Sequence, residues 1–150
     1  MSAVRSQAQT PAPSIFDIQE QIKHLIYQGQ INKAFHQALL ANDLSLVEFV
    51  LEKADYKNVF NPCPLEQTVL LSLIQQISAD MSNHNELKQK YLFDAILNLN
   101  LDDPITREHS PRVLKELQNN CQIYAMNNPT SSLVSGNRMI ILAVQGLNLN

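Results

Sequence analysis

The sequence predicts an all-α fold, an irregular α-α superhelix of about seven helices of the HEAT or armadillo type. From Ile15 onward, apolar residues recur at steps of three and four residues, which is the period of an amphipathic helix. The chain of 150 residues has only three glycines, fewer than the turns of an all-β fold usually need. The segments between the apolar stripes are short, so successive helices are expected to pack antiparallel.

A globular helical bundle is the alternative architecture, because the sequence has no fixed period of the about 34–47 residues that regular helical repeats show. A chain of 150 residues can bury a sizeable core without disulfides or metal. We therefore expect one helical domain over residues 15–150. Residues 1–14, "MSAVRSQAQTPAPS", are polar and proline-containing, which is typical of a flexible linker or a remnant of an expression tag.

The first three helices are predicted within residues 15–54. Ser14 is a candidate N-cap for the first, and Gly29 is expected to end it, since glycine tolerates the left-handed conformation that follows many helices. Asn42 or Asp43 can cap the third helix. The apolar stripes of the three helices are Ile15, Ile18, Ile22, Leu25 and Ile26; Ile31, Ala34, Phe35, Ala38 and Leu39; and Leu44, Val47, Val50, Leu51 and Ala54.

Residues 55–64 form the longest break in the first half of the chain. Pro62 and Pro64 prohibit a continuous helix there, because proline lacks an amide hydrogen and clashes with the preceding turn. Pro64 suits the first turn of the next helix. Val59 and Phe60 are apolar, and we expect both to reach the core from this break.

A central helix is predicted over residues 65–81, because its apolar face is wide enough to be contacted from two sides. Asn83 with Glu86 three residues later is similar to a capping box, so a further helix is expected to start there. The last helix is predicted over residues 133–147. Gly136 weakens its first turns by roughly 1 kcal/mol relative to alanine.

The charge and composition exclude several classes of function. A net charge of −3 without a basic stripe argues against strong direct binding of RNA or DNA. No apolar run approaches the roughly 18 residues that span a bilayer, so no membrane segment is expected. Cys63 and Cys121 stand in no metal-binding spacing, so we expect reduced, mostly buried thiols of a cytosolic protein, with no metal or cofactor.

The stretch "NLNLDDPITREHSPRVLKEL", residues 98–117, has the acids and bases of an active site, or of two helix starts. Asp103 before Pro104 and Ser110 before Pro111 each place a capping side chain ahead of a proline at the first helical position. We therefore expect a short helical turn from Pro104, followed by a separate helix from Pro111.

A hydrolase site built around Asp103 and His109 is the catalytic alternative. The helix-cap role explains Asp103, and His109 is expected to lie in solvent near the end of the short turn. The chain has no nucleophile elbow, P-loop, dinucleotide fingerprint or HExxH motif. We therefore do not expect an enzyme.

Arg107 is the residue of this stretch that helix capping does not require. It either forms an ion pair with Glu108, Glu116 or a nearby Asp, or it contacts a protein partner through its fork of five donors. Arg112 and Lys115 are weaker candidates for the same contact. If the helices stack as predicted, two further lysines, Lys88 and Lys90, add positive charge nearby.

Two strings, "NPCPLEQTVLLSLIQQI" at residues 61–77 and "DPITR" at residues 103–107, resemble the C-terminal domain of the Hedls family of enhancer-of-mRNA-decapping scaffold proteins. "GQINKAFHQALLANDLSLVEFVLEKAD", residues 29–55, also fits that domain. The resemblance covers roughly residues 26–107, and Pro111 is not part of the family pattern. It implies a HEAT- or armadillo-like helical fold.

The resemblance also implies a function. Such scaffolds are non-catalytic, bring the decapping enzyme and its activators together, self-associate and concentrate in cytoplasmic processing bodies. Within the matching strings, Arg107 is the residue best suited to an exposed contact with a protein partner, with Arg112 and Lys115 as neighbours outside the match. The alternative function is a helical domain that binds single-stranded RNA.

Overall fold

Eight α-helices and one 3₁₀ turn form the fold of residues 13–147, the part of the chain that the computed structural model describes. The helices are α1 (Ile15–Tyr27), α2 (Ile31–Leu40), α3 (Leu44–Lys53), α4 (Tyr56–Val59), α5 (Gln67–Ala79), α6 (Glu86–Leu97), α7 (Pro104–Asn127) and α8 (Val134–Gly146). The 3₁₀ turn is Met81–Asn83. Within these residues no strand occurs, and none of the helices combines the length and apolarity needed to cross a bilayer.

The helices stack largely in chain order, which confirms the predicted all-α superhelix. α1, α2 and α3 pack on one another at one end, and α5 joins them to α6 and α7. The contact between α5 and α7 is the most extensive, and α8 covers α6 and α7 at the other end. The predicted linker or tag remnant at residues 1–14 falls mostly on residues 1–12, which lie outside the described part of the chain.

The predicted helix ends in the first third of the chain are confirmed. The Ser14 hydroxyl accepts a hydrogen bond from the Asp17 amide at 3.1 Å, and the Asp17 carboxylate accepts one from the Ser14 amide at 3.3 Å. This is a capping box at the start of α1. Gly29 follows α1 with φ of 77°, the left-handed conformation expected of it. Asp43 caps α3 by accepting from the Ser45 amide at 2.9 Å.

The start of α5 differs from the prediction, since the helix begins at Gln67 and not at Pro64. The Asn32 side chain of α2 holds the segment before it. Asn32 Oδ1 accepts from the Glu66 amide at 2.8 Å, and Asn32 Nδ2 donates to the Glu66 carboxylate at 3.1 Å. These bonds from another helix hold both the amide and the carboxylate of Glu66, the residue just before the helix.

The N-cap residue of α6 also differs from the predicted one. Asn85, and not Asn83, is the N-cap, because Asn85 Oδ1 accepts from the Lys88 amide at 2.9 Å. Asn83 lies in the preceding 3₁₀ turn, where its side-chain amide donates to Asp80 Oδ2 at 3.1 Å. The predicted pairing with Glu86 was therefore wrong, since Asn83 closes the previous turn.

One continuous helix, α7, replaces the predicted short turn and separate helix. Ser110 is fully buried within it and caps nothing, while Pro111 is exposed. A buried stripe runs along one side of α7 past the proline and consists of Thr106, Ser110, Val113, Leu114, Leu117 and Cys121. Each large apolar side chain in it contributes about 1.5–3 kcal/mol, which together outweighs the roughly 3 kcal/mol cost of an interior proline.

A core cluster takes side chains from all eight helices. Tyr91 is fully buried at its centre, and its hydroxyl donates to the carbonyl of Leu51 at 3.1 Å. Val59, at 1% exposure, and the half-buried Phe60 reach this core from the break between α3 and α5, as predicted. The predicted break itself contains the short helix α4.

Both cysteines are free thiols, as the sequence predicted. Burial raises the pKa of Cys121 to about 12, and it also raises the pKa of the half-buried Cys63. Both thiols therefore stay protonated near neutral pH, and neither has the lowered pKa of a reactive cysteine.

Candidate protein-interaction surface

The N-terminus of α7 is built by the cap that the sequence predicted. Asp103 Oδ2 accepts from the Thr106 amide at 3.0 Å and from the Thr106 hydroxyl at 3.1 Å. Pro104 occupies the first helical position, where its missing amide hydrogen costs nothing. The Asp103 carboxylate thus terminates the helix, which sets the orientation of the residues that follow.

Gln67, the first residue of α5, ties this cap to the rest of the protein. Its Oε1 accepts from the Asn100 amide at 2.7 Å, and it shares the single hydrogen of the Thr106 hydroxyl, 2.9 Å away, with Asp103 Oδ2. Its Nε2 donates to the carbonyl of Asn98 at 3.1 Å. One side-chain amide therefore joins α5, the loop after α6 and the first turn of α7.

Arg107 is exposed on the first turns of α7 and forms one hydrogen bond, from Nε to the carbonyl of Leu101 at 3.1 Å. No carboxylate lies within ion-pair distance of its guanidinium among residues 13–147, so neither Glu108 nor Glu116 takes the role considered for them. Of the five N–H donors of the guanidinium, four have no protein acceptor within these residues.

Arg112 and Lys115 are also exposed, and they share a shallow groove along α7 with Glu116 and Asn119. Three residues separate Arg112 from Lys115, which places them about 60° apart around the helix axis. Arg107 lies about 140° from Arg112, beside the loop before α7. The three predicted residues therefore lie on two neighbouring parts of the exposed side of α7 and do not form one compact cluster.

The two lysines expected to strengthen this charge are elsewhere. Lys88 is buried, at 4% exposure, and its ammonium group lies 2.8 Å from the Glu48 carboxylate and 2.9 Å from the carbonyl of Asn83. Lys90 lines a different groove, between α6 and α8, beside Met139. The prediction for both was wrong because a helical stripe does not tell which neighbouring helix a residue faces.

A polar contact between α6 and α8, which the sequence did not reveal, holds the C-terminal helix. Asn137 Oδ1 accepts from Gln89 Nε2 at 2.8 Å and lies 2.7 Å from His84 Nε2. Gln89 Nε2 also donates to the carbonyl of Leu133 at 2.6 Å. These residues are about 50 positions apart in the sequence, so no local pattern connects them.

His84 sits at this contact with its ring edge-on to Tyr124, at 5.2 Å between centroids. Desolvation lowers the pKa of His84, the hydrogen bond to Asn137 opposes that shift, and the charge of Lys88 adds to it. His84 Nδ1 and Asn137 Nδ2 are buried without a hydrogen-bond partner in the described part of the chain. The neutral imidazole is therefore the form that the fold accommodates.

The catalytic alternative at Asp103 and His109 is not supported by the geometry. The Asp103 carboxylate is turned onto the amide and hydroxyl of Thr106, while His109 is exposed and 3.8 Å from Glu108. No group of three or more His, Cys, Asp or Glu side chains within residues 13–147 is arranged to hold a metal ion. The carboxylate and imidazole thus do not converge on a common point.

Known proteins are similar to this chain in sequence and in fold. The family model described as "Enhancer of mRNA-decapping protein 4, C-terminal" matches residues 22–140. The Enhancer of mRNA-decapping protein 4 homolog of Drosophila melanogaster is 60% identical over 144 residues, which cover 95% of this chain and 11% of that protein. The Enhancer of mRNA-decapping protein 4 of Homo sapiens is 43% identical over 153 residues, covering 98% of this chain and 11% of that protein.

Two solved structures are similar as well. The crystal structure of the conserved C-terminal region of Ge-1 superposes with a TM-score of 0.82 at 58% identity, over 87% of this chain and 98% of that one. The Ge1 domain of S. pombe Pdc1 superposes with a TM-score of 0.67 at 17% identity, over 88% of this chain and 96% of that one, which shows a shared fold. The chain spans about 11% of the length of the curated relatives it matches. It belongs to the enhancer of mRNA-decapping protein 4 family and corresponds to the C-terminal region of those proteins, which confirms the resemblance seen in its sequence.

Proposed function

We propose that this domain is a non-catalytic protein-interaction module of an mRNA-decapping scaffold. It binds the decapping enzyme or its activators through the exposed side of α7 and so supports assembly of the decapping complex. In the cell it acts in the cytoplasm and helps to place the scaffold in processing bodies. The residues proposed to make the contact are Arg107, Arg112 and Lys115.

The observation that carries the proposal is the state of Arg107. One hydrogen bond from Nε to the carbonyl of Leu101 positions its guanidinium. Glu108, the carboxylate next to it along α7, lies near His109 instead, so the other guanidinium donors have no acceptor among residues 13–147. A fixed guanidinium loses little side-chain entropy on binding, and its fork matches a carboxylate in two parallel hydrogen bonds. Arg107 is therefore prepared for an acidic side chain or a chain terminus of a partner.

Arg112 and Lys115 support the proposal through electrostatics. Both are exposed and neither forms an ion pair among residues 13–147, although Glu116 lies one turn from Arg112. Exposed charges of this kind contribute more to the rate of association than to affinity. We expect Arg107 to dominate the affinity and the other two to adjust the rate.

Charge reversal tests the surface in the full-length scaffold. Arg107→Glu and the triple change with Arg112→Glu and Lys115→Glu should abolish co-precipitation of the decapping enzyme and its activators, and reduce the fraction of scaffold in processing bodies. Arg138→Glu on α8 is the matched control, because Arg138 is exposed and has no side-chain partner among residues 13–147. Circular dichroism and melting of the isolated chain should be unchanged in all variants.

Two results contradict the proposal. Unchanged recruitment and targeting by the triple variant would remove the α7 surface from the function, though not the fold. Salt-dependent binding of single-stranded RNA by the wild-type chain, lost in Arg107→Glu, would favour the alternative that the domain binds RNA directly. An Arg107→Lys variant refines the test, because lysine keeps the positive charge but lacks the fork of guanidinium donors.

A further inference from the structure

A third groove lies between α1 and α2. α1 contributes Ile18, Gln21 and Leu25, and α2 contributes a parallel row that includes Lys33 and Leu40. Each row follows the three- and four-residue steps of one helix face, so the groove is straight and open along its length. It encloses about 470 Å³, and Leu40 in its wall is 69% exposed.

The position of this groove in the stack makes its apolar character unusual. Within residues 13–147, α1 and α2 are the first pair of the stack, and α1 packs mainly on α2 and α3. Terminal helices of stacked α-α folds normally carry a polar outer face, because no further pair covers them. Here Leu40 is largely exposed, and Ile18 and Leu25 are half-buried against the core. An exposed leucine beside half-buried apolar side chains in one groove offers a contact surface for an apolar ligand.

The charges along the groove indicate what binds there. α2 contains Lys33 and His36 and no Asp or Glu. The two carboxylates of α1 are engaged elsewhere, Asp17 in the capping box and Glu20 in a 2.6 Å ion pair with Lys23. No carboxylate lines the groove, although the chain has a net charge of −3. The groove is thus locally positive in an acidic protein.

The middle of the groove has a polar floor. Gln37 Nε2 donates to Gln21 Oε1 at 2.5 Å, which links α1 to α2 between the two apolar ends. Ile18 and Leu40 lie towards one end, and Leu25 and Lys33 lie towards the other, because the two helices run antiparallel. Seven residues separate Ile18 from Leu25, about 10 Å along a helix.

We propose that the α1–α2 groove binds an acidic amphipathic helix of a partner protein. Two apolar side chains of that helix, seven residues apart, fill the apolar ends beside Ile18 and Leu25, and a carboxylate pairs with Lys33. A helix laid with its apolar face in an apolar groove is a common mode of peptide recognition. Nucleic acid fits this groove poorly, because it offers a single lysine and no Phe, Tyr or Trp for base stacking.

Labelled synthetic peptides test this proposal on the whole chain by fluorescence anisotropy. The acidic probe is a helix-forming peptide of about 16 residues with leucines on one face and glutamates on the other. The basic probe has lysines in place of the glutamates, and the scrambled probe has the acidic composition without an apolar face. We expect the acidic probe to bind with a Kd of about 10–100 μM and the other two to bind at least about tenfold more weakly.

Substitutions locate the site. Leu40→Asp and Lys33→Glu should each weaken the acidic probe by about tenfold, and Lys33→Glu should improve the basic probe. Leu142→Asp on α8, where Leu142 is 54% exposed, and Lys57→Glu on α4 are matched controls that should leave binding unchanged. Arg107→Glu should also leave it unchanged, which separates this site from the α7 surface.

Three results would overturn the proposal. They are equal binding of the acidic and scrambled probes, wild-type affinity in both Leu40→Asp and Lys33→Glu, and absence of binding by the wild-type chain at about 1 mM probe. Because Leu40 and Lys33 are exposed, the variants are expected to fold, and circular dichroism of each variant checks this.

Discussion

The ammonium group of Lys88 lies 2.8 Å from the carboxylate of Glu48, and the Lys88 side chain is 5% exposed while that of Glu48 is 36% exposed. The pair joins α6 to α3 across 40 residues of sequence. A buried cation of this kind is costly without its partner, so the pair fixes how the two helices pack more than it adds net stability.

Glu48→Ala should therefore lower the free energy of unfolding by about 1–3 kcal/mol, because it leaves the buried ammonium with only the carbonyl of Asn83. Urea denaturation measures the change. Glu52→Ala, at an exposed carboxylate on the same helix, should stay within about 0.5 kcal/mol of the wild type. The double variant Glu48→Leu, Lys88→Met should be more stable than Glu48→Ala; a double variant that is less stable would show that the charges themselves stabilise the contact.

Acid should destabilise the protein through His84. Its folded-state pKa is lowered from the ordinary value of 6.5, mainly by desolvation. The neutral ring therefore contributes fully to stability above pH 6.5, and this contribution is lost as the pH falls from 6.5 through the lower folded-state pKa. We expect the free energy of unfolding to begin to fall as the pH approaches about 6.5 and to go on falling below it. In His84→Gln this decline should be smaller, whereas His109→Gln, at an exposed ring, should keep the wild-type profile. Equal profiles in all three proteins would exclude a role for His84.

Gly136→Ala should destabilise the docking of α8. A Cβ atom at this position would lie 2.4 Å from Gln89 Oε1, and Gln89 is held by its bonds to Leu133 and Asn137. We expect a loss of about 1–3 kcal/mol, although alanine is the better helix former by about 1 kcal/mol. Gly146→Ala, in the same helix with nothing within 4 Å, should be neutral or slightly stabilising. Thermal melting followed by circular dichroism distinguishes the two.

Pro111→Ala should stabilise α7 by about 1–2 kcal/mol, because it gives the carbonyl of Arg107 an amide donor and removes the clash of the proline ring. The gain is partly offset, because the unfolded chain has more conformational entropy without the proline. Pro104→Ala, at the first helical position, should change the stability by less than about 1 kcal/mol. Chemical denaturation of both variants provides the comparison. A destabilising Pro111→Ala would mean that the proline fixes a bend that the core requires.

Ser110→Ala distinguishes the helix-cap role that the sequence pattern predicts from the buried position that Ser110 has within α7. A helix cap would lose about 1 kcal/mol on substitution, as the sequence pattern predicts. The buried hydroxyl of Ser110 has no hydrogen-bond partner among residues 13–147, so its removal should instead leave the stability unchanged or raise it by about 1 kcal/mol. The sign of the change in urea denaturation decides between them.

The sequence was sufficient for features that depend on neighbours along the chain. Helical periodicity placed the main helices, and the caps at Ser14, Asp43 and Asp103 were correct because a cap acts on amides within three residues. The start of α5 was wrong because Asn32, which holds the segment before it, lies on another helix.

The same limit applies to the candidate site. Exposure of Arg107 followed from its place outside the apolar stripe, whereas the burial of Lys88 depends on Glu48, 40 residues away. Ser110 before Pro111 has the local signature of a cap, yet the buried stripe of α7 decides its position. Tertiary packing therefore overrides local patterns where both compete.

Gln67 has a consequence for genetic surveys of this domain. Its single side chain satisfies the amide of Asn100 and the hydroxyl of Thr106, so it sets the angle at which α7 leaves the preceding loop. Replacing Gln67 would move the Arg107 side chain while leaving the amino-acid sequence of α7 unchanged. A screen for loss of partner recruitment should thus return substitutions at this half-buried glutamine alongside those at the arginines, and they would mimic contact mutants while never touching the ligand.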